Sequence, residues 1–262
     1  MSFLGNLGAN TIARARGLNY LVAACWTLLC LAARPRHWPR TTRAVFARQV
    51  LFTGFEALKF VMLVALMTGI SVVVQAQLWL GKAGQSALLG PVLITVIMRE
   101  LGPLLVNFIV IGRSGNAIAT ELANMKINGE IRVLEAQGLD TMLYLAMPRV
   151  LAAALSVFCL TVWFVLISFS GGYFCSVLAG VGAADPAVFL ESVLIGLRPA
   201  DIYNLLFKTL IPGLLTGMIC VIQGLSVQRA VTEVPQAATR AVVSSIGALF
   251  VVSALISVLT YL

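Results

Sequence analysis

The chain has 262 residues, of which 60% are hydrophobic and only 11% are charged, and its formal net charge is +8. A soluble domain is nearer to roughly half apolar and a quarter charged, so this composition excludes a soluble globular protein and predicts an integral membrane protein. In such a protein, excess basic charge is expected in the cytoplasmic loops, and we therefore expect no nucleic-acid partner.

The cysteines and the single histidine exclude several kinds of catalytic and metal site. The five cysteines lie in apolar runs without a CxxC pair, which predicts neither a disulfide framework nor a zinc site. His37 alone cannot supply a metal cluster or a Ser-His-Asp triad. Gly81-Lys82 lacks the glycine-rich frame of a Walker A motif. We predict no enzyme activity and no cofactor in this chain, so that a separate ATPase subunit would bind any ATP and magnesium.

The N-terminal region, residues 1–48, is predicted to lie along the membrane surface. Its apolar run, residues 18–33, is short for a span, which needs roughly 20 residues. Arginines precede and follow this run, and positive charge on both sides argues against crossing. The pattern therefore predicts an interfacial helix, with a genuine first span as the alternative.

Five later segments are apolar and long enough to cross a bilayer. Basic residues concentrate before the first of them, between the second and third, and between the fourth and fifth. This distribution places the N-terminus in the cytoplasm and the C-terminus outside. We predict one all-α membrane domain over residues 1–262, with spans at residues 57–80, 87–112, 150–181, 205–227 and 241–262.

Glycines and prolines are expected to interrupt this pattern. Residues 112–115, GRSG, are predicted to form a turn that leaves the second span, and Gly171-Gly172 is expected to loosen the end of the third. Residues 183–204 are expected to form an external segment with short helices. Gly213 and Gly217 form a GxxxG pattern that lets two helices pack closely, either within one subunit or across a dimer.

Three charged residues, Arg99, Glu100 and Lys208, lie well inside apolar runs. A charge at membrane depth costs about 2.5–3.5 kcal/mol, so such residues pair between spans or line a substrate path, and we favour the path. Adjacent helical residues point about 100° apart. We therefore expect one of Arg99 and Glu100 to face a cavity and the other a neighbouring helix. Arg99 or Lys208 would attract a headgroup phosphate, with Glu100 balancing the charge.

Residues 121–140 are predicted to form a cytoplasmic amphipathic helix. Its apolar stripe falls at helical spacing, which fits either an ordinary surface helix or a coupling helix that docks in a groove of an ATPase. The residues predicted to couple to the ATPase are Glu121, Lys126, Ile127, Ile131, Leu134 and Asp140.

Several motifs together resemble the MlaE/YrbE permease family, the membrane subunits of bacterial lipid ABC transporters that work with MCE-domain proteins. They are RELGP at 99–103, GRSGNAIATELANMK at 112–126 and EAQGLD at 135–140, followed by Pro148-Arg149. The stretches FARQVLFTGFEAL at 46–58 and ATRAVVSSIGALFVVSALI at 238–256 are also similar to that family.

The resemblance implies an MlaE-like ABC permease fold, with an N-terminal interfacial helix, five transmembrane helices and a coupling helix at about 121–140. It implies a homodimer in the bacterial inner membrane, with the N-terminus cytoplasmic and the C-terminus periplasmic. Arg99, Glu100 and Lys208 would lie near a lipid cavity.

The partners that the resemblance implies are an MlaF-like cytoplasmic ATPase with a possible small accessory subunit, and an MlaD-like periplasmic MCE protein. The substrate would be a phospholipid, moved between the inner membrane and the MCE protein to maintain outer-membrane lipid asymmetry. The alternative is a scaffold that anchors an MCE protein without moving lipid.

Overall fold

The computed structural model describes residues 23, 26–28, 39–85, 88–180, 185–228 and 230–261. Within these ranges every regular element is a helix, which confirms the all-α prediction. The predicted interfacial helix lies outside the described residues, apart from residues 23 and 26–28.

Among the described residues, five helices are long and apolar enough to cross a membrane, which agrees with the predicted number of spans. Their bounds are Arg40–Lys82 (span 1), Leu89–Ile127 (span 2), Met142–Leu178 (span 3), Pro199–Leu225 (span 4) and Glu233–Thr260 (span 5). Two shorter helices connect them: the connecting helix, Glu130–Ala136, between spans 2 and 3, and the short apolar helix, Pro186–Gly196, between spans 3 and 4.

The two ends of the helix bundle differ in charge. We call the end that carries residues 128–141, 226–228 and 230–232 the basic end, because spans 1, 3 and 5 carry Arg40, Arg149 and Arg240 within their first eight residues there. The opposite end, which carries residues 83–85, 88, 179–180 and 185–198, is called the distal end.

The predicted turn at residues 112–115 is wrong, because the helix runs through it. Residues Ile111–Gly115 are a π-helical stretch inside span 2, and a Cβ on Gly115 would lie 3.0 Å from Cys220 Sγ of span 4. Span 3 likewise continues through Gly171-Gly172 to Leu178. Packing against a neighbouring span holds Gly115, Gly171 and Gly172 in the helical conformation. The intrinsic freedom of glycine does not favour that conformation.

Spans 3 and 4 form the centre of the bundle. Their most apolar windows are 56% and 61% buried, whereas that of span 5 is only 22% buried. A Cβ on Gly213 would lie 2.8 Å from Ala154 Cα, and a Cβ on Gly217 would lie 2.8 Å from Val150 Cα. The GxxxG pattern therefore packs span 4 on span 3 within one chain, which is the first of its two interpretations.

Spans 1 and 3 also approach closely. Gly69 packs directly on the backbone of Ser168, whose Oγ donates a hydrogen bond of 2.9 Å to the carbonyl oxygen of Ala65. A side chain at position 69 would overlap the Ser168 carbonyl, so this contact requires glycine.

The short apolar helix begins with a well-formed cap at the distal end. Asp185 Oδ1 accepts a hydrogen bond of 2.9 Å from the backbone N–H of Ala187, and Pro186 occupies the first turn. The helix packs on Gly90 at the start of span 2. The predicted external segment thus contains one short helix, and its final residues belong to span 4, which begins at Pro199 and not at residue 205. Residues 181–184 lie outside the described ranges.

Replacing Gly69 with alanine tests the contact between spans 1 and 3. The new Cβ would press on the Ser168 backbone, so Gly69→Ala should destabilise the protein by about 1–3 kcal/mol through overpacking. The matched control is Gly81→Ala, because Gly81 belongs to the same span and has nothing within 4 Å of its Cβ position. Thermal unfolding of the detergent-purified variants measures the difference. Equal midpoints for the two variants would contradict the packing described here.

Candidate functional site

Span 2 carries one partner of every ion pair found among the described residues. Its Arg99 and Glu100 pair with span 4, Arg113 pairs with span 1, and Glu121 pairs with span 3. The sequence identifies Arg99 and Glu100 as charged residues inside an apolar, membrane-spanning run. The structure shows that they are two of four paired charges between residues 99 and 121 of span 2.

Lys208 and Glu100 form the centre of the group nearer the distal end. Lys208 Nζ lies 2.6 Å from Glu100 Oε1 and donates a second hydrogen bond of 3.0 Å to the carbonyl oxygen of Arg99. Ser257 of span 5 donates from Oγ to the same Glu100 Oε1 at 3.0 Å. The Glu100 carboxylate therefore joins spans 2, 4 and 5.

Arg99 completes this group through Asp201 of span 4. Arg99 Nε lies 2.7 Å from Asp201 Oδ1, and Asp201 Oδ2 accepts a hydrogen bond of 2.9 Å from the Arg198 N–H at the start of the helix. Asp201 and Lys208 are seven residues apart, about two turns, and so share one face of span 4. We call the five residues the distal cluster: Arg99, Glu100, Asp201, Lys208 and Ser257.

Helical spacing predicted that only one of Arg99 and Glu100 would meet a neighbouring helix, but both pair with span 4, while Glu100 keeps the larger exposed part. They lie in the π-helical stretch Ile94–Leu101, where the backbone departs from the α-helical spacing assumed in that argument. The long side chains then reach two different residues on the same face of span 4.

Exposure within the distal cluster is uneven. The side chains of Lys208 and Asp201 are fully covered, while 18% of Arg99 and 43% of Glu100 remain exposed. Two cations and two anions are present, so the cluster is formally neutral, as charges at membrane depth require. Lys208, which the resemblance implies lies near a lipid cavity, has its own side chain covered by protein.

Two prolines each leave a carbonyl group of the preceding helical turn without its usual donor, and these two carbonyl groups join spans 2 and 4. Pro103 has no N–H for the carbonyl of Arg99, and Pro212 has none for the carbonyl of Lys208. Lys208 Nζ donates to the first of these carbonyls at 3.0 Å, and Asn107 Nδ2 donates to the second at 3.4 Å. Each span thus provides a side-chain donor for the carbonyl that a proline leaves unpaired in the other.

Sequence reasoning missed Asp201, Ser257 and Asn107. Asp201 was detectable, since it precedes Lys208 by two helical turns and therefore shares its face. Asn107 was also detectable, because its side-chain amide lies one helical turn after Pro103 in an apolar run. Ser257 carries no signal, because serine is common in membrane helices and its partner lies 157 residues away in sequence.

The remaining two ion pairs lie nearer the basic end. Arg113 Nη2 lies 2.6 Å from Glu56 Oε2, and Arg113 Nη1 donates to the Phe52 carbonyl at 3.1 Å. Arg149 Nη2 lies 2.8 Å from Glu121 Oε1. Glu121, one of the predicted coupling residues, thus has a partner in span 3 of its own chain.

The predicted single helix over residues 121–140 is wrong, because the segment forms two helices. Span 2 ends at Ile127, and Gly129 adopts a left-handed conformation with φ of 78° before the connecting helix begins at Glu130. A left-handed residue ends an α-helix, and glycine adopts it without steric cost.

The predicted apolar docking stripe turns inward. Ile131 is buried and Leu134 is partly buried against the core formed by spans 2, 3 and 4, while Ile127 is partly buried against Val227 and Val234. The prediction that these three residues form an exposed docking face is therefore wrong. An apolar stripe that packs on its own chain has the same spacing as one that docks on a partner. Among the apolar side chains of the connecting helix, Val133 is 56% exposed.

The other two predicted coupling residues also make contacts within the chain. Lys126 Nζ donates to the carbonyl of Leu225 at the end of span 4. Asp140 Oδ1 accepts a hydrogen bond of 2.9 Å from the N–H of Met142, the first residue of span 3. Both residues connect helix ends at the basic end of the bundle.

An open groove lies between spans 2 and 5 at the basic end. Its volume is about 570 Å³, and several of its lining side chains are polar. We call it the span 2–5 groove; its lining includes Asn116, Thr120, Pro235, Ala238, Thr239 and Val243. The sequence analysis did not predict it, because the lining residues come from segments more than a hundred residues apart.

The chain is similar to proteins named as permeases and to a chloroplast protein. Residues 46–259 match the family described as Permease MlaE. A probable ABC transporter permease protein of Rickettsia conorii is 31% identical over 77% of each chain. The chloroplastic protein TRIGALACTOSYLDIACYLGLYCEROL 1 of Arabidopsis thaliana is 28% identical over 92% of this chain and 67% of its own length. The intermembrane phospholipid transport system permease protein MlaE of Haemophilus influenzae is 26% identical over 66% of this chain and 64% of its own.

A double-mutant cycle on Arg99 and Asp201 tests whether the distal cluster holds spans 2 and 4 together. Either Arg99→Gln or Asp201→Asn alone leaves an uncompensated charge in a covered position, which costs about 3–5 kcal/mol. The double variant should therefore be more stable than the sum of the two single losses predicts. Thermal unfolding of the purified protein gives the coupling energy.

The control cycle uses Arg113→Gln and Glu56→Gln. These side chains are 34% and 56% exposed, and an ion pair of that kind contributes about 0.2–1 kcal/mol. A coupling energy for Arg99 and Asp201 no larger than that of the control pair would contradict the structural role of the distal cluster.

Proposed function

Because this chain belongs to the MlaE permease family and is a permease subunit of an ABC transporter, we propose that its substrate is a phospholipid. The Haemophilus influenzae relative is named for intermembrane phospholipid transport. The proposal extends that substrate class to this chain.

The distal cluster is the observation that carries the proposal. It places partly exposed charges of both signs, on Arg99 and Glu100, inside helices that are otherwise apolar. A phospholipid presents a charged headgroup joined to apolar chains, so it matches charged groups surrounded by apolar helix surface. A small hydrophilic solute would need a polar pathway, and an apolar one would gain nothing from the charges.

We further propose that a separate cytoplasmic ATPase drives the cycle, with a small accessory subunit on it, since this chain has no Walker A motif. The connecting helix is the proposed docking element. Val133 is its exposed apolar side chain, with the exposed Arg132 beside it. This choice replaces Ile127, Ile131 and Leu134, which pack inside the chain.

A second copy of the chain is proposed to pack along span 5. That span is the least buried of the five, and the polar side chains of Asn116, Thr120 and Thr239 in the span 2–5 groove would be unfavourable against acyl chains. A homodimer would cover this face with protein or enclose it in a polar cavity.

The distal end is proposed to face the periplasm, where an MCE-domain protein would exchange lipid with the permease and so help to maintain outer-membrane lipid asymmetry. The alternative is a scaffold that anchors such a protein without moving lipid. The open part of Glu100 favours transport, because the ion pairs that hold spans 2 and 4 together do not require an exposed charge.

Phospholipid transfer in proteoliposomes tests the function and the coupling together. The permease, reconstituted with its cognate ATPase, should move labelled phospholipid in an ATP-dependent manner. Val133→Asp places a charge in an apolar contact and should abolish both ATPase co-purification and transfer, while membrane insertion stays normal. The matched control is Leu194→Asp, because Leu194 is 59% exposed at the distal end. No ATP-dependent transfer by the unaltered protein would refute transport, and unchanged ATPase binding by Val133→Asp would refute the docking site.

The proposed orientation predicts an external C-terminus. Basic residues flank the start of span 5 at Arg240 and the start of span 3 at Arg149, which the positive-inside rule assigns to the cytoplasm. A C-terminal reporter that fluoresces only in the cytoplasm should remain dark, whereas the same reporter inserted after Gly138, in the loop before span 3, should be bright. The reverse pattern would show that the chain is inserted with the opposite orientation.

A further inference from the structure

We propose that Glu100 recognises the ammonium group of a zwitterionic lipid headgroup, so that the permease selects lipids with a primary amine. The inference rests on the proposed phospholipid substrate and adds a headgroup class to it. It reverses the sequence-based expectation that the cations of this site attract the phosphate and that Glu100 only balances their charge.

The cations of the distal cluster are largely covered. Lys208 has no exposed side-chain surface, and its Nζ donates both to Glu100 Oε1 and to the Arg99 carbonyl. Arg99 is paired with the fully buried Asp201 and retains only 18% of its side chain exposed. A phosphate that arrives at the cluster therefore cannot reach Lys208 without separating spans 2 and 4.

The carboxylate is the open part of the cluster. Glu100 has 43% of its side chain exposed, more than twice the fraction of Arg99. Lys208 and Ser257 both donate to Oε1, and no donor to Oε2 is found among the described residues. An ionised carboxylate offers about four acceptor positions, so it can accept a further donor while it keeps both present bonds.

The chemical class of that donor follows from the negative charge and the open acceptor positions of the Glu100 carboxylate. A primary ammonium carries three N–H donors and a positive charge, and it binds a carboxylate through short, charge-assisted hydrogen bonds. A quaternary ammonium has no N–H to donate, and a glycerol headgroup carries no positive charge. Arg99, the residue before Glu100, keeps a small exposed positive surface. The phosphate of the same headgroup would lie there.

Lipid competition measures this selectivity. The full chain is purified from nanodiscs that contain equimolar phosphatidylethanolamine and phosphatidylglycerol with identical acyl chains, and the lipids retained after detergent extraction are quantified by mass spectrometry. The unaltered protein should be enriched in phosphatidylethanolamine. Glu100→Gln should reduce that enrichment by roughly tenfold or more, since a hydrogen bond to a charged group supplies a ratio of at least that order.

Two further variants separate recognition from folding. Glu191→Gln removes an exposed carboxylate of the short apolar helix, outside the distal cluster, and should retain the full enrichment. The double variant Glu100→Gln/Lys208→Met removes the pair without leaving Lys208 uncompensated, so it should fold even where Glu100→Gln alone does not. It should lose the enrichment as well.

The outcomes distinguish this inference from the function on which it rests. Phospholipid retained without headgroup preference, or with a preference that both Glu100 variants keep, would overturn the role of Glu100 and leave phospholipid transport standing. No phospholipid retained above an unrelated membrane protein of similar size, together with no transfer in proteoliposomes, would overturn the proposed function itself.

Discussion

The structure depends on one constraint: charges placed at membrane depth must find partners within the protein. Span 2 carries Arg99, Glu100, Arg113 and Glu121, and each of them pairs with another span. Spans 1, 3 and 4 are therefore positioned around span 2 by electrostatic contacts in addition to side-chain packing. Since apolar packing between membrane helices gains little from the hydrophobic effect, such polar contacts decide which helices are neighbours.

Backbone chemistry strengthens the contact between spans 2 and 4. Pro103 and Pro212 each remove one helical hydrogen bond, and the freed carbonyls accept from Lys208 and Asn107 across the interface. In a bilayer a helix can tolerate proline where a neighbouring helix satisfies the freed carbonyl. The two prolines are thus compatible with straight, long spans because the spans lie side by side.

Composition and run length were sufficient to predict the helical class and the number of spans, because apolar segments of this length have few other structures in a membrane. Arg99, Glu100 and Lys208 were predictable as a site for the same reason, since charges stand out in apolar runs. The inward direction of Ile131 was not predictable, because its spacing is identical for core packing and for docking. The helical continuation through residues 112–115 was also not predictable, since the contact of Gly115 with span 4 is long-range.

The contact between spans 2 and 4 also determines which parts of the bundle can separate during a transport cycle. Four polar contacts join these spans near the distal end, from Arg99 to Asp201, from Glu100 to Lys208, and from Lys208 and Asn107 to the two carbonyls. Span 5 joins the same cluster through the single hydroxyl of Ser257. Separating spans 2 and 4 would leave these charged side chains without their partners in an apolar surrounding, so any opening of the bundle must keep this pair of spans together.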